Sequence, residues 1–275
     1  MSDSVARITW FPLGGKDWPD HLWLGSDTVI DDHRLFARVT KDGDDDRPPL
    51  LMLHGAVVSG AYFGPIARRL DETRRMFIPD LAGFGRSGST RLLSVEEHVD
   101  LLDRWMDVHG LRQAGIVANS TGCQVATLLA IKYPDRVSRM VLVAPTMDPA
   151  TGGLFGLMMR GLIDIPRERQ RLWTIWVPDF FASGPVRAIH AVLTALRDPQ
   201  RDRLGKVRQP TICVAGERDP ICPPAWVKSM AASMPNASSV ILHGAPHAMN
   251  FSAPHALGRV MITSMMHTRD EDGDR

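Results

Sequence analysis

Seven short apolar runs, each closed by turn residues and separated by helix-like stretches, constrain this chain more than any other feature. They are LFARVT at 35–40, LLMLHG at 50–55, MFIPD at 76–80, AGIVAN at 114–119, RMVLVAP at 139–145, TICVAGE at 211–217 and SSVILHG at 238–244. Several are nearly continuous in apolar residues. A strand covered on both faces reads that way, because neither side is left to water. Between the runs lie helical patterns. SVEEHVDLLDRWMDVHG opens with a capping box of Ser94 and Glu97, sets Val95, Val99, Leu102 and Met106 on one face, and stops at Gly110. CQVATLLAIKY is apolar almost all round and ends at Pro134, as a buried helix does, and APHALGRVMITSMMH supplies a last helix. Strand and helix in this order predict an α/β fold with a mostly parallel, doubly wound sheet.

One region breaks the alternation. From about Asp148 to Val207 no strand-like run occurs, only helix-compatible segments rich in Met, Trp and Phe. A stretch of that length is too long for a plain loop in a compact domain. The expected organisation is therefore a core of residues 1–147 and 208–275 carrying a helical cap of 148–207. With 275 residues the chain can bury a sizeable core without disulfides or metals. Its acidic turn KDGDDDRPP (41–49) and its tail TRDEDGDR (268–275) read as solvated and mobile.

Charge and cysteine content exclude several function classes. The formal net charge is +1, and the Lys and Arg residues form no basic stripe interleaved with aromatics, so no nucleic-acid partner is expected. Cys123, Cys213 and Cys222 form no CxxC pair and no zinc-like spacing. The first residues lack a basic start followed by an apolar stretch, and no run approaches the ~18 apolar residues of a membrane span. A soluble, cytoplasmic protein, monomeric or homodimeric, is the expectation.

Chemistry concentrates around Ala118-Asn119-Ser120-Thr121-Gly122, where an apolar strand runs straight into an apolar helix. A sharp strand-to-helix turn that exposes a nucleophile needs small residues two before and two after it, because bulk there meets neighbouring backbone. A serine hydroxyl is a poor nucleophile at neutral pH and needs a base, itself oriented by a carboxylate. Downstream, GERDPICPP offers Asp219 in the loop after one strand, and HGAPHAMNFSAP offers His247 in the loop after the next. Both loops leave the carboxyl ends of parallel strands, the edge at which ligands bind. Upstream, His54-Gly55-Ala56 follows another strand. The Ala56 N–H, with that of Thr121 at the helix start, would form an oxyanion hole.

These motifs in order resemble those of a capped α/β-hydrolase. LHGA resembles the family's oxyanion loop, DLAGFGRSG (80–88) its D-x-x-G-x-G-x-S segment, ANSTGCQVA its nucleophile elbow, GERDPICP its acid loop, and APHAMNFSAP its histidine loop. The likeness covers roughly residues 25–265. It departs at Ala118, where the family has Gly, and at Ser252, where relatives often carry Glu. The resemblance implies an α/β-hydrolase fold and a serine hydrolase with Ser120 as nucleophile, His247 as base and Asp219 as acid, and Asp148 is the alternative acid. A small, apolar carboxylic ester, lactone or thioester would be the substrate, with water as the second reactant and no metal or organic cofactor. Hydrolysis of a C–C bond in a vinylogous diketone is a second reading, because Asn119 directly before the serine is shared with such enzymes. A slow-turnover ligand receptor on the same fold is a third.

Four residues are candidates for substrate contact: Asn119, which would either reach the cavity or bond within the elbow, and Met158, Trp173 and Trp176 of the helical segment. His54 precedes the serine, the wrong order for the base, and is expected to brace the oxyanion loop. His243 and His247 imitate a metal spacing, but they lie in a strand-end loop without an accompanying carboxylate ligand, so no metal is expected. GFGRSG (83–88) formally matches a dinucleotide motif, yet STRLL intervenes before the next helix, against such a site.

Overall fold

The computed structural model describes residues 6–13, 18, 21–41, 48–70, 74–146 and 148–266. Most of the acidic turn and the whole 268–275 tail lie outside the described residues. Nine strands form one sheet: β1 Arg7–Pro12, β2 Trp23–Ile30, β3 His33–Thr40, β4 Leu50–Leu53, β5 Met76–Pro79, β6 Ala114–Asn119, β7 Val137–Val143, β8 Thr211–Gly216 and β9 Ala237–Leu242. Their spatial order is β1-β2-β3-β5-β4-β6-β7-β8-β9. The strands from β4 to β9 pair in parallel, while β1, β2 and β3 form an antiparallel meander joined to β5. All seven expected strands are present, with ends shifted by a few residues. β1 and β2 are additions that the apolar pattern did not announce.

The helices are α1 Gly64–Ala67, α2 Val95–Val108, α3 Gly122–Lys132, α4 Gly153–Asp164, α5 Trp173–Ser183, α6 Pro185–Arg197, α7 Gln200–Arg203, α8 Pro224–Ala232, α9 Met249–Ser252 and α10 Pro254–Met266. α2 starts where its sequence says it should. The Ser94 hydroxyl accepts the Glu97 N–H at 3.2 Å, and the Glu97 carboxylate accepts the Ser94 N–H at 2.8 Å. These two bonds satisfy donors that helix formation would leave orphaned. The helix turns Val99, Leu101, Leu102, Trp105 and Met106 into the core. α3 is buried nearly all round, because it follows the central strand β6 and packs against the middle of the sheet.

Between β7 and β8 the described residues contain helices but no strand. These helices are unusual in how little they bury. Asp164 is the one buried residue of α4, α5 has none, and α6 buries Ala188 and Ala195. Phe155 and Phe181 are each 74% exposed. No helix among the described residues is long and apolar enough to cross a membrane.

Candidate active site

The parallel core makes the site possible. β6 ends at Asn119 and α3 begins at Gly122, so Ser120 must turn the chain within two residues. It does so at φ +56°, in the left-handed region that a non-glycine residue rarely occupies. Small neighbours permit the turn. A Cβ on Gly122 would lie 2.5 Å from the Leu53 carbonyl oxygen, and one on Gly55 would lie 3.0 Å from the Ser120 Cβ. The oxyanion loop and the elbow therefore pass at van der Waals distance because both carry glycine.

Ser120, His247 and Asp219 converge from three loops. The Ser120 Oγ is 3.1 Å from the His247 Nε2, and the His247 Nδ1 is 2.9 Å from the Asp219 Oδ2. Asp219 is itself fixed: its Oδ1 accepts the backbone N–H groups of Ile221 and Cys222 at 2.8 and 2.9 Å. Burial pulls the imidazole toward neutrality. The Asp219 carboxylate, by charge and hydrogen bond, outweighs it with help from Asp164 and Glu168, and lifts His247 to about 9. The alternative acid, Asp148, points elsewhere, paired with Arg160 at 2.8 Å and capping the Ala150 N–H. Glu217 pairs at the surface with His243 at 2.7 Å.

The two N–H groups expected to receive an oxyanion are those of Ala56 and Thr121. Among the described residues neither donates to a protein acceptor, and both residues line one cavity of about 50 Å³ beside the serine. His54 braces this loop as its position suggested. Its Nδ1–H donates to the Gly55 carbonyl at 2.7 Å, while its Nε2 accepts the Leu81 N–H at 2.8 Å. That pattern fixes the tautomer, and burial holds the ring neutral.

Asn119 does not contact the cavity. Its Nδ2 donates to the Val143 carbonyl at 3.1 Å, and its Oδ1 accepts the Tyr62 hydroxyl at 2.7 Å. The same Tyr62 oxygen accepts the Gly55 N–H at 3.1 Å. This corrects one of the two expectations for Asn119: its polar atoms are consumed in tying the elbow to the oxyanion loop. Met158, Trp173 and Trp176 also lie outside the lining of this cavity. Met158 is 59% exposed, and Trp176 meets the edge of Trp173 and stacks on Phe180. The wall is supplied instead by α6, through Arg187, His190, Ala191, Thr194 and Ala195, and by His98 of α2. Positions 187, 190, 191, 194 and 195 recur at helical spacing. That periodicity in VRAIHAVLTALR was a signal available to sequence reasoning, whereas Tyr62 carried none.

Asp219, Cys222 and His247 lie close enough together to suggest a cation site. Their chemistry does not fit one. Burial pushes the Cys222 thiol far up, so it stays protonated and donates to the Ala144 carbonyl, and the His247 Nδ1 is engaged by Asp219.

Comparison with known proteins agrees with this architecture. A family model described as alpha/beta hydrolase fold matches residues 48–164, and one described as TAP-like protein matches 190–267. The chain is 34% identical over 132 residues to a 2-hydroxymuconate semialdehyde hydrolase of Pseudomonas sp. (strain CF600), covering 42% of this chain and 47% of that protein. It is 36% identical over 97 residues to a pimeloyl-[acyl-carrier protein] methyl ester esterase of Vibrio vulnificus (strain YJ016), covering 35% and 36%. The chain spans less than half the length of the curated relatives it matches. Among solved structures, a hydrolase from Pseudomonas aeruginosa PA01 superposes with a TM-score of 0.76 at 19% identity, over 89% of this chain and 98% of that one. A mostly parallel sheet, a strained serine between β6 and α3, and family-model matches over residues 48–164 and 190–267 have one common explanation: the chain belongs to the α/β-hydrolase family.

Proposed function

We propose that this protein is a serine hydrolase acting on a carboxylic ester, lactone or thioester, with residues 148–207 serving as a cap over the site. One observation carries the reading: the continuous hydrogen-bonded relay from the Ser120 hydroxyl through His247 to the buried Asp219. In this reading His247 takes the Ser120 proton as the oxygen attacks the carbonyl. Asp219 holds the Nδ1–H tautomer and stabilises the imidazolium that forms. The negative charge developing on the carbonyl oxygen is received by the Ala56 and Thr121 N–H groups, which are free to donate. The imidazolium then protonates the leaving group, and water repeats the sequence on the acyl-enzyme. No step calls for a metal or organic cofactor.

The cavity of about 50 Å³ is far below the roughly 300 Å³ of sites that enclose small molecules, and in this reading the helical segment opens to admit substrate. Its lining also refines the expected substrate. Phe84, Leu81 and Val125 are apolar, but Arg187, His190, His98 and Gln124 face the same space. Arg187 donates to the carbonyls of Ser89 and Arg91 and pairs with no carboxylate among the described residues. A substrate with an oxo or acidic group away from the scissile carbonyl would suit that wall. This favours C–C hydrolysis of a vinylogous diketone as the second reading.

Labelling with a fluorophosphonate probe, followed by peptide mapping, tests the nucleophile. The tag is expected on Ser120, and Ser120→Ala is expected to lose turnover on the order of 10⁶-fold. An unlabelled Ser120 in folded protein would sink the reading. Specificity constants for a p-nitrophenyl acyl ester and a ring-fission dienone then separate the two substrate classes.

A further inference from the structure

Three carboxylates surround His247, and two of them come from the helical segment between β7 and β8. Asp164, the last residue of α4, is buried, and its Oδ1 accepts the His247 backbone N–H at 3.4 Å. Glu168 accepts the next amide, that of Ala248, with Oε1 at 2.5 Å and the Ser252 hydroxyl with Oε2. Ser252 in turn accepts the Arg169 N–H at 3.2 Å. On the other flank, the Arg167 guanidinium donates to the Arg218 carbonyl at 2.8 Å, immediately before Asp219. The stretch 164–169 is thus fastened to both the histidine loop and the acid loop. Among the described residues no Lys or Arg side chain pairs with Asp164 or Glu168.

We propose that Asp164 and Glu168 are positioning residues for His247. Seated on the histidine loop, they hold the imidazole between Ser120 and Asp219 and add negative charge behind it. Closure of the helical segment and assembly of the base then become one event. This rests on the reading of His247 as general base. The groups that face the imidazole are the Ser120 hydroxyl from the elbow, Asp219 from the acid loop, and Asp164 and Glu168 from the segment; Tyr62 senses Glu168 in turn. Apart from the imidazole itself, none is a cation. Negative charge favours the imidazolium, so removing it should make His247 easier to deprotonate.

The experiment follows the rate of fluorophosphonate labelling and kcat/KM for a neutral p-nitrophenyl ester against pH, in wild type, E168Q, E168A and D164N. Wild type is expected to gain activity up to a limb near pH 9, where His247 loses its proton. E168Q and D164N should each lower that limb by ~0.5–1 pH unit; for E168Q this raises the rate at pH 7 about three- to tenfold, and for D164N the gain at pH 7 is smaller, because burial raises Asp164 to about 7 and leaves it partly neutral there. E168Q should keep its plateau, because the amide oxygen still accepts the Ala248 N–H. E168A should lose about tenfold at the plateau as well, since that amide is left without its acceptor. Limbs that coincide with wild type, in variants whose melting temperatures show them folded, would overturn the proposal while leaving Ser120 labelling intact. Absence of labelling in wild type would instead remove the hydrolase reading, and this inference with it.

Discussion

Tyr62 shows how much of a site can depend on a residue outside the reacting groups. Its hydroxyl accepts the Gly55 N–H and donates to Asn119, so one oxygen joins the oxyanion loop to the elbow. It is fully buried, and burial pushes its phenol far up, so it stays a neutral donor throughout the working range. Tyr62→Phe would leave both Gly55 N–H and Asn119 Oδ1 unpaired, at a cost of about 1–3 kcal/mol for each group. The expected outcome is a fall in kcat of about 10- to 100-fold with KM little changed, below the 10²–10³ seen when an oxyanion donor itself is lost. Steady-state kinetics check this, and an unchanged kcat would show that the loop holds its place without the tyrosine. Ser120, Asp219 and His247 were legible in the sequence because each sits in a short motif whose local geometry explains it. Tyr62, Asp164 and Glu168 were not: their roles come from contacts with residues 57, 83 and 80 positions away, which packing alone creates.

The same division runs through the elements. β4 to β8 were readable because a parallel strand buried on both faces must be apolar throughout. β2 was not, since Gly25, Ser26, Asp27 and Thr28 interrupt its apolar residues; Gly25 lies under the Phe11 ring, and Ser26 and Thr28 are fully buried. β1 is a largely exposed edge strand with no buried face to give it a pattern. In the helical segment, apolar content pointed to α4 and α5 as pocket walls, yet both hold their large side chains half-buried or exposed, and the shorter-chained α6 faces the site. Composition says which residues avoid water, whereas position relative to the sheet edge decides what they touch. α2 is the opposite case, a helix whose start is written in four residues. Ser94→Ala removes the hydroxyl that accepts the Glu97 N–H and should destabilise the fold by about 1 kcal/mol. Activity should fall far less than stability, because the Ser94 hydroxyl bonds only to Glu97, although its neighbours Leu93 and Val95 line the cavity. Thermal unfolding compared with kcat/KM separates the two effects.

At the scale of the whole molecule, several buried groups make stability depend on pH in a direction that can be worked out. Burial lowers His98 and His109 to about 4, and His54 moves the same way. His247 is raised to about 9, and burial raises Asp164 out of the usual carboxylate range. Between pH 9 and 6.5 the folded state holds a proton on His247 that the unfolded chain lacks, so stability grows as pH falls toward 6.5. Below 6.5 the unfolded chain protonates its histidines, while folded His98 and His109 stay neutral until about 4. Those two groups favour unfolding by two protons, and Asp164, protonated early in the folded state, returns about one. Burial also raises Asp179 and Asp198, which soften the decline, so stability falls as pH drops from 6.5 toward 5 by ~1.4 kcal/mol per pH unit for each net proton taken up on unfolding. His54 steepens that loss. The melting temperature should therefore peak near pH 6.5 and decline on both sides. His98→Gln removes one of the two protons taken up on acid unfolding, so its acid limb should flatten while its alkaline limb follows wild type. Unfolding curves measured from pH 5 to 9 decide the matter: a melting temperature that rises steadily across that range would show that His247 is not held as a cation in the folded protein.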